Sequence, residues 1–305
     1  MRRLLALLML TAGFVCTSCG PGAPEASSAV PVPDPTPVPT PSPAPVPTPP
    51  FPVSRSELTV TAPDRTDIGG VLYTPKGLET APLILCAHGL GADHESMEYW
   101  AEELSRLGLA AFCFDFRGTG GLSGGSETEM SVLTEAEDVL ALLDAAQAWP
   151  GIDADRVVLL GESQGGFACA IAAGRQPERV AGLILLYPAF VIPDHIRAMF
   201  PDVESVPEVV TDYLWVTVGR RYALDMLDYD AYSEIAGYSR PVLIIHGSED
   251  TLVPVSYSER AAETYPDAAL EVIEGAGHGF GPQAAVDALA VMIQYLTQLG
   301  ILPAA

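Results

Sequence analysis

Basic residues are scarce in this chain: 15 lysines and arginines stand against 39 aspartates and glutamates, for a formal net charge of −24 at pH 7. A surface of that sign repels phosphate backbones, so nucleic acid is not an expected partner. Cysteine is scarce too, with five in 305 residues. Cys86, Cys113 and Cys169 lie in apolar stretches and read as buried thiols, so no disulfide framework is expected. No cluster of His, Cys and carboxylates has metal-ligand spacing, so neither a metal nor any other cofactor is expected. The glycines of Gly118–Gly125 fall out of G-x-G-x-x-G register and no helix opens on them, which excludes a dinucleotide loop. Long hydrophobic runs are also missing. The longest candidate, Leu4–Val15, is short for a membrane span, and after Met1-Arg2-Arg3 it reads as a secretory signal.

The signal runs into Val15-Cys16-Thr17-Ser18-Cys19-Gly20, which resembles a bacterial lipobox with Cys19 as the lipidated residue. Residues 1–19 are therefore expected to be a lipoprotein signal peptide. Residues 20–52 hold 14 of the 28 prolines and can form no core. They read as a polyproline-type linker that could reach about 100 Å at ~3.1 Å per residue. Residues 53–305 suffice for one α/β domain. It carries nearly all the negative charge, because Glu25 and Asp34 are offset by Arg2 and Arg3.

Short apolar runs punctuate that domain at Pro82–Ala87, Leu109–Phe114, Val157–Leu160, Val180–Tyr187, Pro241–His246 and Ala269–Ile273. Amphipathic segments alternate with them at Glu95–Leu107, Ser131–Ala148 and Pro282–Leu299. The alternation predicts a mostly parallel, doubly wound sheet of about eight strands, opened by an antiparallel pair near Leu58 and Gly70. Residues 190–238 interrupt it. They are rich in Tyr, Asp and Pro, with a predicted helical middle near Val209–Val218, and read as a cap inserted over the sheet.

Gly161-Glu162-Ser163-Gln164-Gly165 lies between a strand run and a small-residue helix, the context of a nucleophile elbow. Serine at its own pKa needs an adjacent base, itself held by a third group. His278, in a glycine-rich loop after the last strand run, is the candidate base, and Asp250, just past an earlier one, the candidate acid. Glu249 is the alternative acid. His88 and His246 precede glycines at strand ends and read as structural, and His94 and His195 as surface or insertion residues. An oxyanion site would use the backbone N–H groups of Gln164 and Leu90.

Read together, HGLG, DFRGTGGLSGG, GESQGG, HGSEDTLVP and GAGHGF resemble the α/β-hydrolase superfamily over about Leu58 to Leu299. More narrowly, GESQGG, the DFRG loop and the insertion are similar to those of bacterial cinnamoyl/feruloyl esterases. The resemblance implies the α/β-hydrolase fold and a serine carboxylic ester hydrolase that works through an acyl-enzyme. It implies the triad Ser163, Asp250 and His278, the oxyanion donors Leu90 and Gln164, and a small-molecule or plant-polysaccharide ester as substrate. The family's insertion binds the phenolic acyl group, which makes Tyr213, Trp215, Tyr222, Asp225 and Tyr229 the substrate-binding candidates here. The insertion thus reads as a selector separate from the catalytic machinery. An exopeptidase-like serine hydrolase and a non-catalytic binding protein are the alternatives on the same fold. Signal and linker together imply a secreted protein at the bacterial cell surface, touching the membrane only through a lipid on Cys19.

Overall fold

The computed structural model describes residues 51–302; the signal segment, Cys19 and the linker up to residue 50 lie outside the described residues. The chain opens with β1 (Val53–Thr61), β2 (Asp67–Pro75) and β3 (Ala81–Ala87), followed by α1 (Glu98–Arg106), β4 (Ala110–Phe114) and α2 (Val132–Ala146). Next come β5 (Ile152–Glu162), α3 (Ser163–Arg175), β6 (Gly182–Leu186), α4 (Ile192–Met199), β7 (Val209–Tyr213), β8 (Val216–Gly219), α5 (Arg220–Leu227) and α6 (Ala231–Ile235). The last elements are β9 (Val242–Gly247), α7 (Ser256–Thr264), β10 (Ala268–Ile273) and α8 (Pro282–Gln298).

The main sheet has eight strands in the order β1-β2-β4-β3-β5-β6-β9-β10. β1 and β2 pair antiparallel, and β2 runs antiparallel to β4. From β4 to β10 every neighbour is parallel. The apolar runs follow from this placement, because an inner parallel strand is covered on both faces. Leu83, Leu85, Val157 and Leu159 face one layer with α2, α3 and the cap. Ile84, Cys86, Val158 and Leu160 face the other, with α1 and α8. After β3 the chain moves outward to β4, then returns past β3 to β5. Ligand crevices of open α/β sheets form at such a reversal, at the carboxyl ends of the strands.

The predicted helix near Val209–Val218 is not there. Its place is taken by the antiparallel hairpin β7–β8, with Val210 opposite Val218 and Tyr213 opposite Val216. Val, Thr and Tyr dominate VVTDY and VTVG, and β-branched residues favour strands through their restricted χ1. The start of α2 is fixed by a local side-chain exchange. Ser131 is the N-cap and Thr134 its reciprocal partner in a capping box.

Candidate active site

The turn between β5 and α3 is tight enough to exclude side chains. A Cβ on Gly161 would lie 2.5 Å from the Gly165 carbonyl oxygen, and one on Gly165 would lie 2.6 Å from that of Ala87. Ser163 itself sits at φ 49°, left-handed for a residue with a Cβ. Strain of this kind persists only where surrounding packing over-determines it, and it marks functional positions. The elbow holds the Ser163 hydroxyl above the carboxyl edge of the sheet.

Two later strand ends meet it there. His278 Nε2 lies 3.0 Å from Ser163 Oγ, and His278 Nδ1 lies 2.8 Å from Asp250 Oδ2. The Asp250 side chain is fully buried, and its other oxygen accepts the N–H groups of Leu252 (2.9 Å) and Val253 (2.8 Å). Burial alone would raise its pKa, but hydrogen bonds from His246, His278 and the Val253 N–H outweigh it and hold the carboxyl well below the usual range. Asp250 is thus a fixed anion, able to stabilise an imidazolium. Glu249, the alternative acid, is exposed.

His246 is more than a filler of the strand end. Its Nε2 lies 3.2 Å from Asp250 Oδ2 and 2.8 Å from the Val253 carbonyl, while Nδ1 pairs with Ser258 Oγ. It orients the acid from below. The i,i+4 spacing to Asp250 was the only trace of this in the sequence. His88 behaves as a buried structural residue: its Nδ1–H donates to the Gly89 carbonyl, and Nε2 accepts the Phe116 N–H. Burial pushes its pKa down, which keeps it neutral. The His278 ring rests edge-on against Tyr187, centroids 4.8 Å apart. Glu162, beside Ser163 in sequence, turns away and accepts the Trp100 indole N–H at 2.8 Å.

Gln164 stands in the first turn of α3, where N–H groups lack intrahelical acceptors. Gly89 brings the β3 loop against the elbow; a Cβ there would lie 3.3 Å from Ser163 Cβ. Leu90 and Gln164 share one narrow cavity with Ser163. Its volume is about 20 Å³, room for little more than one water molecule.

Of the five cap candidates, Tyr213 and Trp215 line that cavity. The other three do not. Tyr222 is buried beneath it, with its hydroxyl donating to Gln164 Oε1 at 2.6 Å. Asp225 accepts from Ser131 Oγ and from the Arg221 guanidinium, because α5 docks against the start of α2. Tyr229 packs on Phe167, and with Arg197 and Arg260 it borders a separate cleft. Spacing could not separate the cavity face of the cap from the face docked on the sheet. His195 on α4, read as a surface or insertion residue, also lines the cavity. Burial lowers its pKa, so it presents a neutral polar ring among apolar walls. Among the described residues no group of His, Cys, Asp and Glu could hold a metal ion.

A parallel sheet with a strained serine elbow, and with a histidine and an aspartate at later strand ends, defines the α/β-hydrolase class, and the comparisons agree. The Alpha/beta hydrolase family matches residues 84–291, and the chain belongs to it. An uncharacterised protein of Mycobacterium tuberculosis (strain H37Rv) is 30% identical over 228 residues, covering 73% of this chain and 72% of its own. Among solved structures, Est1E from Butyrivibrio proteoclasticus with ferulic acid bound is 25% identical. It superposes with a TM-score of 0.73 over 80% of this chain and 99% of its own. The acetyl xylan esterase of Paenibacillus sp. R4, 21% identical with a TM-score of 0.60 over 81% of this chain and 84% of its own, shares the fold.

Proposed function

We propose that this hydrolase is a serine carboxylic ester hydrolase of the cinnamoyl/feruloyl esterase type. The observation that carries the reading is the continuous Ser163–His278–Asp250 hydrogen-bond chain. Ser163 Oγ attacks the ester carbonyl carbon while its proton passes to His278 Nε2. Asp250 stabilises the imidazolium and holds its tautomer. The carbonyl oxygen, now an anion, takes the N–H groups of Leu90 and Gln164. Collapse expels the alcohol, which receives the proton from His278, and leaves an acyl-enzyme. Water, deprotonated by His278, repeats the sequence and releases the acid.

The acyl preference rests on the cavity walls and on likeness to Est1E. Tyr213 and Trp215 offer aromatic faces for a planar ring. His195 supplies a neutral partner for a phenolic hydroxyl, and a site built around such a pair rejects analogues lacking it. Small hydroxycinnamate esters, free or on plant polysaccharide, fit this chemistry.

Ser163→Ala, His278→Ala and the double variant should each lose kcat by about 10⁴-fold or more, without additivity, because the two act as a unit. A fluorophosphonate should label Ser163 alone. Esterase activity retained in Ser163→Ala would remove the mechanism. Methyl hydroxycinnamates compared with methyl cinnamates test the acyl assignment, and equal kcat/KM on both would refute it.

The lipobox-like Cys19 and the linker support placement at the bacterial cell surface, anchored by lipid. Acyl chains contribute ~0.8 kcal/mol per buried CH₂, and more than one chain anchors stably. Full-length protein should partition with membranes, and Cys19→Ala should leave them or stay unprocessed. Unmodified wild-type protein in the medium would instead mean a plain cleaved signal.

A further inference from the structure

Both residues proposed above as oxyanion donors, Gln164 and Leu90, are gripped by the cap. On one side, Tyr222 on α5 donates its hydroxyl to Gln164 Oε1 at 2.6 Å, and Gln164 Nε2 donates to Glu135 Oε1 at 2.9 Å. The Gln164 amide is therefore bonded at both ends. Tyr222 and Gln164 are both buried. A buried amide bonded at both its oxygen and its nitrogen restrains the backbone that carries it, because a shift would strand a polar group out of water.

On the other side, the Trp215 indole N–H donates to the Leu90 carbonyl at 3.1 Å. The neighbouring Gly91 has φ +71°, and a Cβ there would lie 2.8 Å from Val216 Cγ1 and 2.9 Å from Trp215 Nε1. The β3 loop and the hairpin tip are thus in direct contact. The tip carries two non-glycine residues in the left-handed region, Asp212 at φ 61° and Leu214 at φ 57°. They flank Tyr213, whose ring packs on Tyr222 with centroids 5.1 Å apart. Tyr213 also lines the cavity over Ser163, so one aromatic pair joins the substrate space to the Gln164 clamp.

We propose that the cap sets the oxyanion site, with Tyr222 and Trp215 as positioning residues that hold the Gln164 and Leu90 N–H groups on the carbonyl oxygen. The proposal rests on Ser163 as nucleophile and on those two donors. It goes beyond that reading by making the insertion part of the rate machinery for every substrate, small acetates included.

The test compares full-length wild type with Tyr222→Phe, which deletes one buried oxygen, and Trp215→Phe, which deletes the indole N–H at an exposed residue. Nitrophenyl acetate gives kcat and KM. Inhibition is measured with an aryl trifluoromethyl ketone and with the product acid. Ser163 Oγ adds to the ketone carbon, its proton goes to His278, and the ketone oxygen becomes the anion that the site must hold; the product acid forms no such adduct. Tyr222→Phe should lower kcat at least tenfold, with KM within about threefold. Ketone affinity should fall by the same factor as kcat/KM, with product-acid affinity unchanged. Trp215→Phe should show the same pattern at about threefold, and it carries the test if Tyr222→Phe does not fold.

A folded Tyr222→Phe with wild-type kcat would overturn the proposal. So would equal losses for ketone and product acid, which a merely structural contact gives. In either case an inactive Ser163→Ala leaves the nucleophile assignment standing. Wild-type turnover in Ser163→Ala would remove both.

Discussion

At the scale of single residues, two buried carboxyls have opposite fates. Asp250 is ringed by donors and kept ionised, so the stability it contributes is present above the ordinary Asp pKa of 3.8 and lost as pH falls below that. Glu135 receives one bond, from Gln164, and its other oxygen is buried without a partner. Burial pushes its pKa up from the ordinary 4.5 to about 8, so the folded chain keeps it protonated where the unfolded chain would ionise it. In that window the unfolded state binds fewer protons, and stability falls as pH rises. Glu135→Gln should erase the dependence. Its melting temperature relative to wild type should climb between pH 5 and pH 8, by up to ~1.4 kcal/mol of stability per pH unit. A constant difference across that range would show Glu135 to be ionised in the fold.

At the scale of elements, the elbow and the inner strands could be read directly, because each is a local pattern. Val157–Leu160 is apolar on both faces, and the glycines around Ser163 are demanded by backbone contacts within a few residues and by the adjacent end of β3. The hairpin was hidden. Val209–Val218 has apolar residues at spacings that suit either a helix or paired strands, and Leu214 at a left-handed position is no turn signal. The inward face of the cap was equally obscure. Tyr222 meets Gln164 across 58 positions, and Asp225 meets Ser131 across 94. Those pairings follow from docking alone.

Docking also changes what removing the cap should do. Read as a selector, the insertion could be replaced by a short Gly/Ser linker with hydrolysis of small acetates preserved. With Trp215 on Leu90 and Tyr222 on Gln164, the replacement should lower kcat/KM for nitrophenyl acetate as well as for hydroxycinnamate esters, each at least about tenfold. Steady-state rates on a replacement variant that is monodisperse and still melts cooperatively decide it. Loss confined to hydroxycinnamates would return the cap to a selector.

At the scale of the whole molecule, the site is assembled from strand ends of unequal security. Ser163 follows β5, an inner strand. His278 follows β10, which lies at the sheet edge beside β9 and has no fully buried residue. Besides the His278–Asp250 bond, three bonds tie this strand end and loop to the Asp250 loop: Ser248 N–H to the Ile273 carbonyl, Glu249 N–H to the Ala276 carbonyl, and Gly275 N–H to Ser248 Oγ. Peripheral segments of this kind open at lower free energy than the interior they border. His278, the general base proposed above, thus sits on the part of the sheet expected to open first. Loss of that edge is expected to end turnover before the fold is lost. In urea, esterase activity should vanish at a lower midpoint than the far-ultraviolet signal of the sheet, with amides of β10 exchanging ahead of those of β5. Coincident midpoints would make the edge as secure as the centre. A protein can remain folded by every spectroscopic measure and already have stopped working.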